Sequence, residues 1–306
     1  MTVNVLKHNY SLRRLARIKT GGKARYYAPV SRLSELQDII ALSKTRRLPL
    51  FVLGSGSNVL ISDGFFDGIV VRLTGDMSSI TFGDTDTTVT AGGGASLMQL
   101  GQILAERGYS GCAYMTVIPG TVGGAVRINA GHTPHEEIAT VFQSALLLDP
   151  ATGALQEYTK DQMEFGYRTS TLAGSKKILV KATFDLSLQK KTGAPLGNAV
   201  ADTKLRELNR SRHLQNGRTF GSVFRNAGHD GHSAAWYLDR AGLKGLCVGG
   251  ARVSEEHANW IINNGSACTG DIKKLMDICR RRVFEKFSVR LEREVVFLPE
   301  DMEEWS

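Results

Sequence analysis

Residues 53–63 read Leu-Gly-Ser-Gly-Ser-Asn-Val-Leu-Ile-Ser-Asp and continue a short apolar run, 50–53, that is typical of a strand. Small residues at this point let backbone N–H groups converge on an anion. The spacing matches neither G-x-G-x-x-G nor a Walker A loop, so the two common nucleotide fingerprints do not apply. Taken alone, the stretch fits a tight structural turn as well as a phosphate-binding loop. Its members are Gly54, Ser55, Gly56, Ser57 and Asn58.

A second glycine-rich stretch, 118–131, reads Ile-Pro-Gly-Thr-Val-Gly-Gly-Ala-Val-Arg-Ile-Asn-Ala-Gly. So many positions with little side chain let a flat ring system lie against the backbone, although packing of the chain on itself is the alternative interpretation. The run Thr20-Gly21-Gly22 adds a third place where the backbone is exposed. Three such places in one half of the chain favour a ligand-binding role.

The segments around these stretches mix helical and strand patterns. Apolar spacing predicts helices over 31–42 and 96–107, and strands at 50–53, at 69–73 and on both sides of 83–86. The first half is therefore predicted to be mixed α and β. In the second half the pattern predicts strands at 177–188, 260–263 and 291–298, and helices at 202–213, 233–240 and 271–287.

A polar segment, 189–198, contains two glycines and a proline and is the best linker candidate in the chain. We predict a domain boundary near 195, which separates a domain 1–195, in two α/β subdomains split near 70–75, from a domain 196–306. No internal repeat or low-complexity tract interrupts either domain.

The composition predicts a protein folded throughout, since 42% of the 306 residues are hydrophobic and 22% are charged. No apolar run approaches the roughly 18–20 residues that span a bilayer, and residues 1–12 have no signal-peptide pattern, so we expect a cytoplasmic location and no membrane contact. The four cysteines are widely spread, which predicts reduced structural thiols.

The formal net charge of +8 could attract nucleic acid or serve an anionic small molecule. The basic residues are scattered, and their densest cluster, 280–282, lies on a predicted helix, where a solvated face is the simpler interpretation. We expect no nucleic-acid partner. His229, Asp230 and His232 form an H-D-G-H run without a further nearby ligand, so we expect no metal.

Three motifs together resemble the FAD-binding half of the UDP-N-acetylenolpyruvoylglucosamine reductase family. They are K-T-G-G-K-A at 19–24, L-G-S-G-S-N-V-L-I-S-D at 53–63 and I-P-G-T-V-G-G-A-V-R-I-N-A-G at 118–131, in the family's order and at fitting separations. The resemblance implies an α+β fold: a two-subdomain FAD-binding fold of the vanillyl-alcohol-oxidase (PCMH) type, followed by a C-terminal α+β substrate-binding domain. It also implies FAD that is bound without a covalent link.

Carried onto this chain, the resemblance places the FAD pyrophosphate at 54–58 and the flavin with its ribityl chain at 118–124. The implied FAD contacts are Thr20, Gly54, Ser55, Gly56, Ser57, Asn58, Ile118, Pro119, Gly120, Thr121, Gly123, Gly124 and Ala125.

The family reduces an enol ether of pyruvate in peptidoglycan precursor synthesis, with NADPH as co-substrate. Hydride passes from NADPH to the flavin and then to C3 of the enolpyruvyl group, and the product is UDP-N-acetylmuramate. Addition at C3 leaves negative charge on C2 and the carboxylate. Such a site needs a fixed cation, hydrogen-bond donors and one proton donor for C2.

Three further motifs supply candidates for these roles. F-G-Y-R-T-S at 165–170 is similar to the family's F-G-Y-R-x-S and makes Arg168 the cation, whose planar guanidinium suits a carboxylate. G-S-V-F-R-N at 221–226 is similar to G-S-x-F-K-N-P and makes Ser222 the proton donor, although Ala227 replaces the usual proline. Without the motifs, an arginine is usually a surface side chain and a serine after glycine a turn residue.

The terminal motif L-E-R-E-V-V-F at 291–297 is similar to L-E-x-E-V-x-F and implies a role for Glu294. Strand alternation places Glu294 on one face with Val296 and Leu298, and partial burial there favours a protonated carboxyl that can bind the enediolate. Glu292 shares that face and is the competing choice; a surface glutamate at a strand edge is the simpler alternative.

The resemblance also implies substrate contacts at Tyr167, Arg212, His213, Asn226 and His257, with Arg212 and His213, or Arg210, near the diphosphate. Only about 53 residues separate Arg168 from Ser222, which leaves no room for a long tyrosine-bearing insertion. The chain therefore resembles the family's shorter type, with a more open substrate site.

Two other functions stay open at this point. One is another FAD-dependent oxidase or dehydrogenase of the same flavin fold that acts on a small alcohol or sugar. The other is a non-catalytic nucleotide-binding paralogue, which the joint presence of Arg168, Ser222 and Glu294 disfavours. Whether the protein is the reductase or such an oxidase, we expect a monomer with a small-molecule substrate. In the preferred interpretation, the reductase, that substrate is a sugar nucleotide.

Overall fold

The computed structural model describes residues 5–133, 135–187, 189, 218–226 and 231–299. The strands in these ranges are β1 (Lys7–Ser11), β2 (Lys23–Val30), β3 (Leu50–Val52), β4 (Val59–Ile61), β5 (Phe65–Leu73), β6 (Ile80–Phe82), β7 (Thr88–Gly92), β8 (Gly131–Thr133), β9 (Glu136–Glu137), β10 (Phe142–Leu148), β11 (Leu155–Thr159), β12 (Ile178–Asp185), β13 (Thr219–Ser222), β14 (Cys247–Val248), β15 (Ala251–Val253), β16 (Trp260–Asn263) and β17 (Val296–Leu298).

The α-helices are α1 (Leu33–Arg46), α2 (Leu97–Glu106), α3 (Val122–Arg127), α4 (Ala234–Arg240) and α5 (Thr269–Phe287). Short 3-10 helices span Gly75–Ser78, Ser110–Val117, Ile138–Thr140 and Asp161–Met163. No helix in the described ranges combines the length and the apolar character needed to cross a membrane.

The first lobe, 7–73, is a four-stranded sheet in the order β1-β2-β5-β3. Strands β2, β5 and β3 are parallel, and β1 is antiparallel to β2. Helix α1 covers this sheet because Leu36, Ile39 and Ile40 recur at helical spacing and join one buried cluster with Ile69 and Val71. The parallel strands end beside the loop 54–58, so the sheet presents that loop at one edge.

The second lobe, 80–185, is an antiparallel sheet in the order β11-β10-β12-β7-β6. Helices α2 and α3 pack on it; the hydroxyls of Ser96 and Thr121 cap their N-termini by accepting from Gln99 N and Gly124 N. The cap at Thr121 fixes the point where the loop 118–121 turns into α3.

The C-terminal unit, 218–298, is an antiparallel sheet in the order β13-β16-β15-β14 with α4 and α5. Its apolar side chains, Phe224 and Leu275 among them, share one buried cluster with Phe51 and Leu60 of the first lobe. Strand β17 then returns to pair in parallel with β4. The C-terminal unit is therefore anchored on the first lobe next to the loop 54–58.

The predicted helices are confirmed at α1, α2, α4 and α5, each within a few residues of the expected bounds. The strand predicted over 291–298 is too long, because only Val296–Leu298 forms a strand. The segment changes partner there: Arg293 bridges to Phe224, whereas Val296 pairs with Val59. The helix predicted at 202–213 and the domain boundary near 195 lie outside the described residues, and the two-domain division stays a prediction.

Candidate active site

A cleft of about 790 Å³ separates the loop 54–58 on the first lobe from the segment 118–125 on the second lobe. The cleft is lined by twelve of the thirteen predicted cofactor residues: Gly54, Ser55, Gly56, Ser57, Asn58, Ile118, Pro119, Gly120, Thr121, Gly123, Gly124 and Ala125. Thr20 is not on its wall. Thr20 is 2% exposed, its hydroxyl has no hydrogen-bond partner among the described residues, and its contact with a cofactor stays a prediction.

The loop 54–58 has the backbone of an anion site. Gly56 takes a φ of +68°, and a Cβ there would collide with the carbonyl oxygen of Leu15. A Cβ at Gly54 would lie 2.6 Å from Oγ1 of Thr121, so the two walls of the cleft approach each other closely here. Among the described residues, no protein acceptor binds the amides of Ser55, Gly56 and Ser57. These free donors suit a phosphate.

Within the described chain, no hydrogen bond reaches three buried polar atoms of residues that line the cleft: Ser55 Oγ, Asn58 Oδ1 and Ser175 Oγ. Because buried polar groups are nearly always paired, their grouping indicates a polar ligand. A dinucleotide such as FAD, with phosphates, hydroxyls and an apolar ring, fits this combination of open amides, orphan polar atoms and glycine-rich wall.

Arg127, at the end of α3, is a cleft residue that the sequence patterns did not single out. Its guanidinium donates to the carbonyl oxygens of Leu172 at 2.5 Å and Ala173 at 2.6 Å. Burial lowers the pKa of Arg127 to about 10. The residue therefore keeps a positive charge at neutral pH and holds the segment 172–175 against the cleft.

Arg168 is held by the carbonyl oxygens that end the second glycine-rich stretch. Its guanidinium donates to Gly131 O at 2.7 Å and to Asn129 O at 3.5 Å. The Asn129 side chain in turn donates to Gly166 O at 3.1 Å. Arg168 has a left-handed φ of +55°, a strained conformation that such contacts must maintain. The predicted cation is thus fixed to the wall that carries 118–125.

Glu294 faces this cation, with 3.6 Å between its Oε1 and Arg168 Nε, and its side chain is only 15% exposed. Burial raises the pKa of Glu294, and the positive charges of Arg168 and Arg225 oppose that shift. Glu292, the competing choice, is exposed. The structure therefore provides one carboxyl at this point whose neutral form is favoured by its surroundings.

Ser222 ends β13 on the strand next to Glu294, since Glu294 N donates to the carbonyl oxygen of Val223 at 2.9 Å. The side chain of Asn259 fixes this region: its Oδ1 accepts from Phe224 N at 3.0 Å and its Nδ2 donates to Phe224 O at 2.8 Å. Gly221, at φ +78°, lies inside β13, where the pairing with β16 changes register between Thr219 and Ser222. Arg168 and the strand that carries Ser222, which are far apart in sequence, thus both lie against Glu294.

The predicted substrate residues that the structure describes are Tyr167, Asn226 and His257. Tyr167 is 51% exposed, and its hydroxyl accepts from Asn226 N at 3.3 Å. His257 is mostly buried, its Nδ1 has no partner in the described chain, and burial lowers its pKa. Arg212 and His213 lie outside the described residues, as do Arg210, Ala227, His229 and Asp230.

Two side chains near the site were missed by sequence reasoning. Trp260 is paired with Ser222 across β13 and β16, and its ring centroid is 5.0 Å from that of His257. Arg225 has a buried Nε without a hydrogen-bond partner in the described part of the chain, and its positive charge lowers the pKa of Glu294. The place of Arg225 in the motif 221–226, three positions after Ser222, could have indicated it. No local pattern in the sequence indicated that Trp260 pairs with Ser222.

Comparison with known proteins agrees with this geometry. Residues 24–159 match the family described as FAD binding domain, and residues 212–298 match UDP-N-acetylenolpyruvoylglucosamine reductase, C-terminal domain. The cleft and these matches define the chain as an FAD-binding oxidoreductase of mixed α and β structure, and the expected α+β fold is confirmed.

Similar proteins show which family of FAD-binding oxidoreductases this is. The UDP-N-acetylenolpyruvoylglucosamine reductase of Anoxybacillus flavithermus is 33% identical over 96% of this chain and 94% of its own. That of Chlamydia trachomatis serovar L2 is 34% identical, with 96% of each chain covered. The crystal structure of the Thermus caldophilus enzyme superposes with a TM-score of 0.76 at 31% identity and covers 96% of this chain and 99% of that one. The chain belongs to the UDP-N-acetylenolpyruvoylglucosamine reductase family.

Proposed function

We propose that this protein reduces UDP-N-acetylglucosamine enolpyruvate to UDP-N-acetylmuramate, with NADPH as reductant and non-covalent FAD as cofactor, in peptidoglycan precursor synthesis. The observation that carries the proposal is the convergence of Arg168, Glu294 and the strand of Ser222 beside the cleft. A guanidinium, a carboxyl of raised pKa and a hydroxyl are the groups that reduction of an enol ether of pyruvate requires.

FAD, when bound, supplies the hydride carrier between NADPH and the enolpyruvyl C3. In the proposal the amides of 54–58 hold its pyrophosphate, and 118–125 line its ring. None of the cleft residues in the described part of the chain is a histidine or cysteine, which supports a cofactor without a covalent link.

Three side chains of the protein stabilise the negative charge of the substrate and supply the proton for C2. Arg168 pairs with the substrate carboxylate, since its charge is permanent and its orientation is fixed by Asn129 and Gly131. Glu294, whose pKa is raised by burial, donates a hydrogen bond to the enediolate oxygen in its protonated form. The Ser222 hydroxyl gives its proton to C2 and is reprotonated from water.

We also propose which residues bind the substrate, where the protein acts and in which oligomeric state. Tyr167, Asn226 and His257 bind the sugar nucleotide on the outer side of the site, and Arg212 and His213 bind its diphosphate. The protein acts as a cytoplasmic monomer without a nucleic-acid partner. We also propose that the chain divides into two domains, 1–195 and 196–306.

Purified protein is expected to be yellow and to release FAD, identified by chromatography, when it is denatured, because the cleft offers only non-covalent contacts. Gly56→Val is the comparison variant: its side chain would collide with Leu15 O, so the loop cannot keep the conformation that exposes its amides, and the protein should be colourless. A wild-type protein that neither carries FAD nor takes it up would contradict the cofactor assignment.

A further inference from the structure

Asn58 lies where the loop 54–58 passes into β4, and it contacts the terminal segment of the chain through two bonds. Its Nδ2 donates to the carbonyl oxygen of Glu294 at 3.1 Å. Its own carbonyl oxygen accepts from Val296 N at 3.1 Å. The two residues so held flank Val295, where the chain leaves the strand of Ser222 and joins β4.

The other side of the Asn58 amide faces the cleft. Asn58 lines the cleft, and its Oδ1 is buried without a partner in the described chain. The acceptor on Glu294 is a carbonyl, so the atom that meets it must be the NH₂ group, and the oxygen is left toward the ligand space. That oxygen suits a hydroxyl or N–H group of bound FAD.

Within the described residues, no hydrogen bond holds the Glu294 carboxyl itself. Its separation from Arg168 is 3.6 Å, longer than a hydrogen bond, so the ion pair alone does not fix its position. The main chain of Glu294 is instead held between Val223 O, which accepts from its amide, and Asn58 Nδ2, which donates to its carbonyl. Removal of the Asn58 side chain would leave only the hydrogen bond from Glu294 N to Val223 O at this residue.

We infer that Asn58 is a positioning residue that links cofactor binding to the acid: an FAD held by the loop fixes the Asn58 amide, and the amide fixes the main chain of Glu294. The inference rests on the proposed function for the role of Glu294. The link itself, between loop occupation and the order of 294–296, does not depend on which substrate is reduced.

Amide hydrogen exchange tests the link without turnover. In wild-type protein, FAD added to the apoprotein should slow exchange at Glu294 and Val296. In Asn58→Ala, measured at FAD concentrations that saturate the variant, this slowing should be lost. Ser266→Ala is the control, since Ser266 is exposed, lies outside the loop 54–58 and has only Asn264 as a side-chain partner in the described chain; it should keep the slowing. Equal FAD-dependent slowing in Asn58→Ala and wild type would overturn the link.

The kinetic arm separates positioning from loss of cofactor. At saturating FAD, Asn58→Ala should slow reoxidation of the flavin by the enolpyruvyl sugar nucleotide by about 10- to 100-fold, as small misplacements in a site do. Flavin reduction by NADPH should stay near the wild-type rate. Combined with Glu294→Gln, Asn58→Ala should slow the reaction no further, and full additivity would refute a shared role.

Two outcomes are kept apart by this design. If Glu294→Gln alone reacts normally, the acid of the proposed function is wrongly assigned, and the exchange experiment still decides the link. If Asn58→Ala does not retain FAD, Asn58→Ser replaces it, because serine keeps a polar group in the loop but is too short to reach the Glu294 carbonyl.

Discussion

Replacement of Ser222 by alanine is expected to slow reoxidation of reduced flavin by the enolpyruvyl sugar nucleotide by about three orders of magnitude. Flavin reduction by NADPH should be nearly unchanged, because that half-reaction needs no proton at C2. The reason is local: Ser222 lies at the end of β13 beside the backbone of Glu294, and Asn259 holds the adjoining residues in place. Rapid mixing of each half-reaction separately checks the prediction.

Ser266→Ala is the matched control, since this serine is exposed in the same unit and bonds only its neighbour Asn264. It should leave both half-reactions at wild-type rates. Equal slowing of both half-reactions in Ser222→Ala would refute the serine as proton donor and point to a general loss of structure instead.

Glu294→Gln is expected to slow the same half-reaction by about 100-fold and to change its pH profile. Burial raises the pKa of Glu294, so the carboxyl is protonated below that raised pKa and loses its proton as the pH rises through it. The wild-type rate should therefore fall at the alkaline side of this pKa. Glutamine does not titrate, and its variant should lack that limb.

Glu292→Gln, two residues away and exposed, provides the comparison and should keep both the rate and the alkaline limb. Normal turnover in Glu294→Gln together with a defect in Glu292→Gln would mean that the wrong carboxylate was chosen. An unchanged alkaline limb in Glu294→Gln would assign the titration to another group.

The cofactor cleft could be predicted from the sequence because its signals are local. A glycine such as Gly56 is required by its own backbone angle and by a nearby carbonyl, so it leaves a mark at one position. Helix α2 likewise carries its cap and its apolar stripe within ten residues. Such features depend little on distant parts of the chain.

The surroundings of Glu294 could not be predicted in the same way. Its contact with Asn58 joins residues 236 positions apart. The terminal strand was predicted too long because nothing in the motif 291–298 marks the point near Val295 where the pairing partner changes from Phe224 to Val59. The motif could indicate Glu294, but only the fold brings Arg168, Arg225 and Asn58 around it.

The most direct test of the account is anaerobic mixing of the NADPH-reduced protein with the enolpyruvyl sugar nucleotide while the flavin spectrum is recorded. Oxidised flavin absorbance is expected to return without oxygen and in proportion to the UDP-N-acetylmuramate formed. Flavin that stays reduced with this substrate, and is reoxidised only when oxygen is admitted, would contradict it.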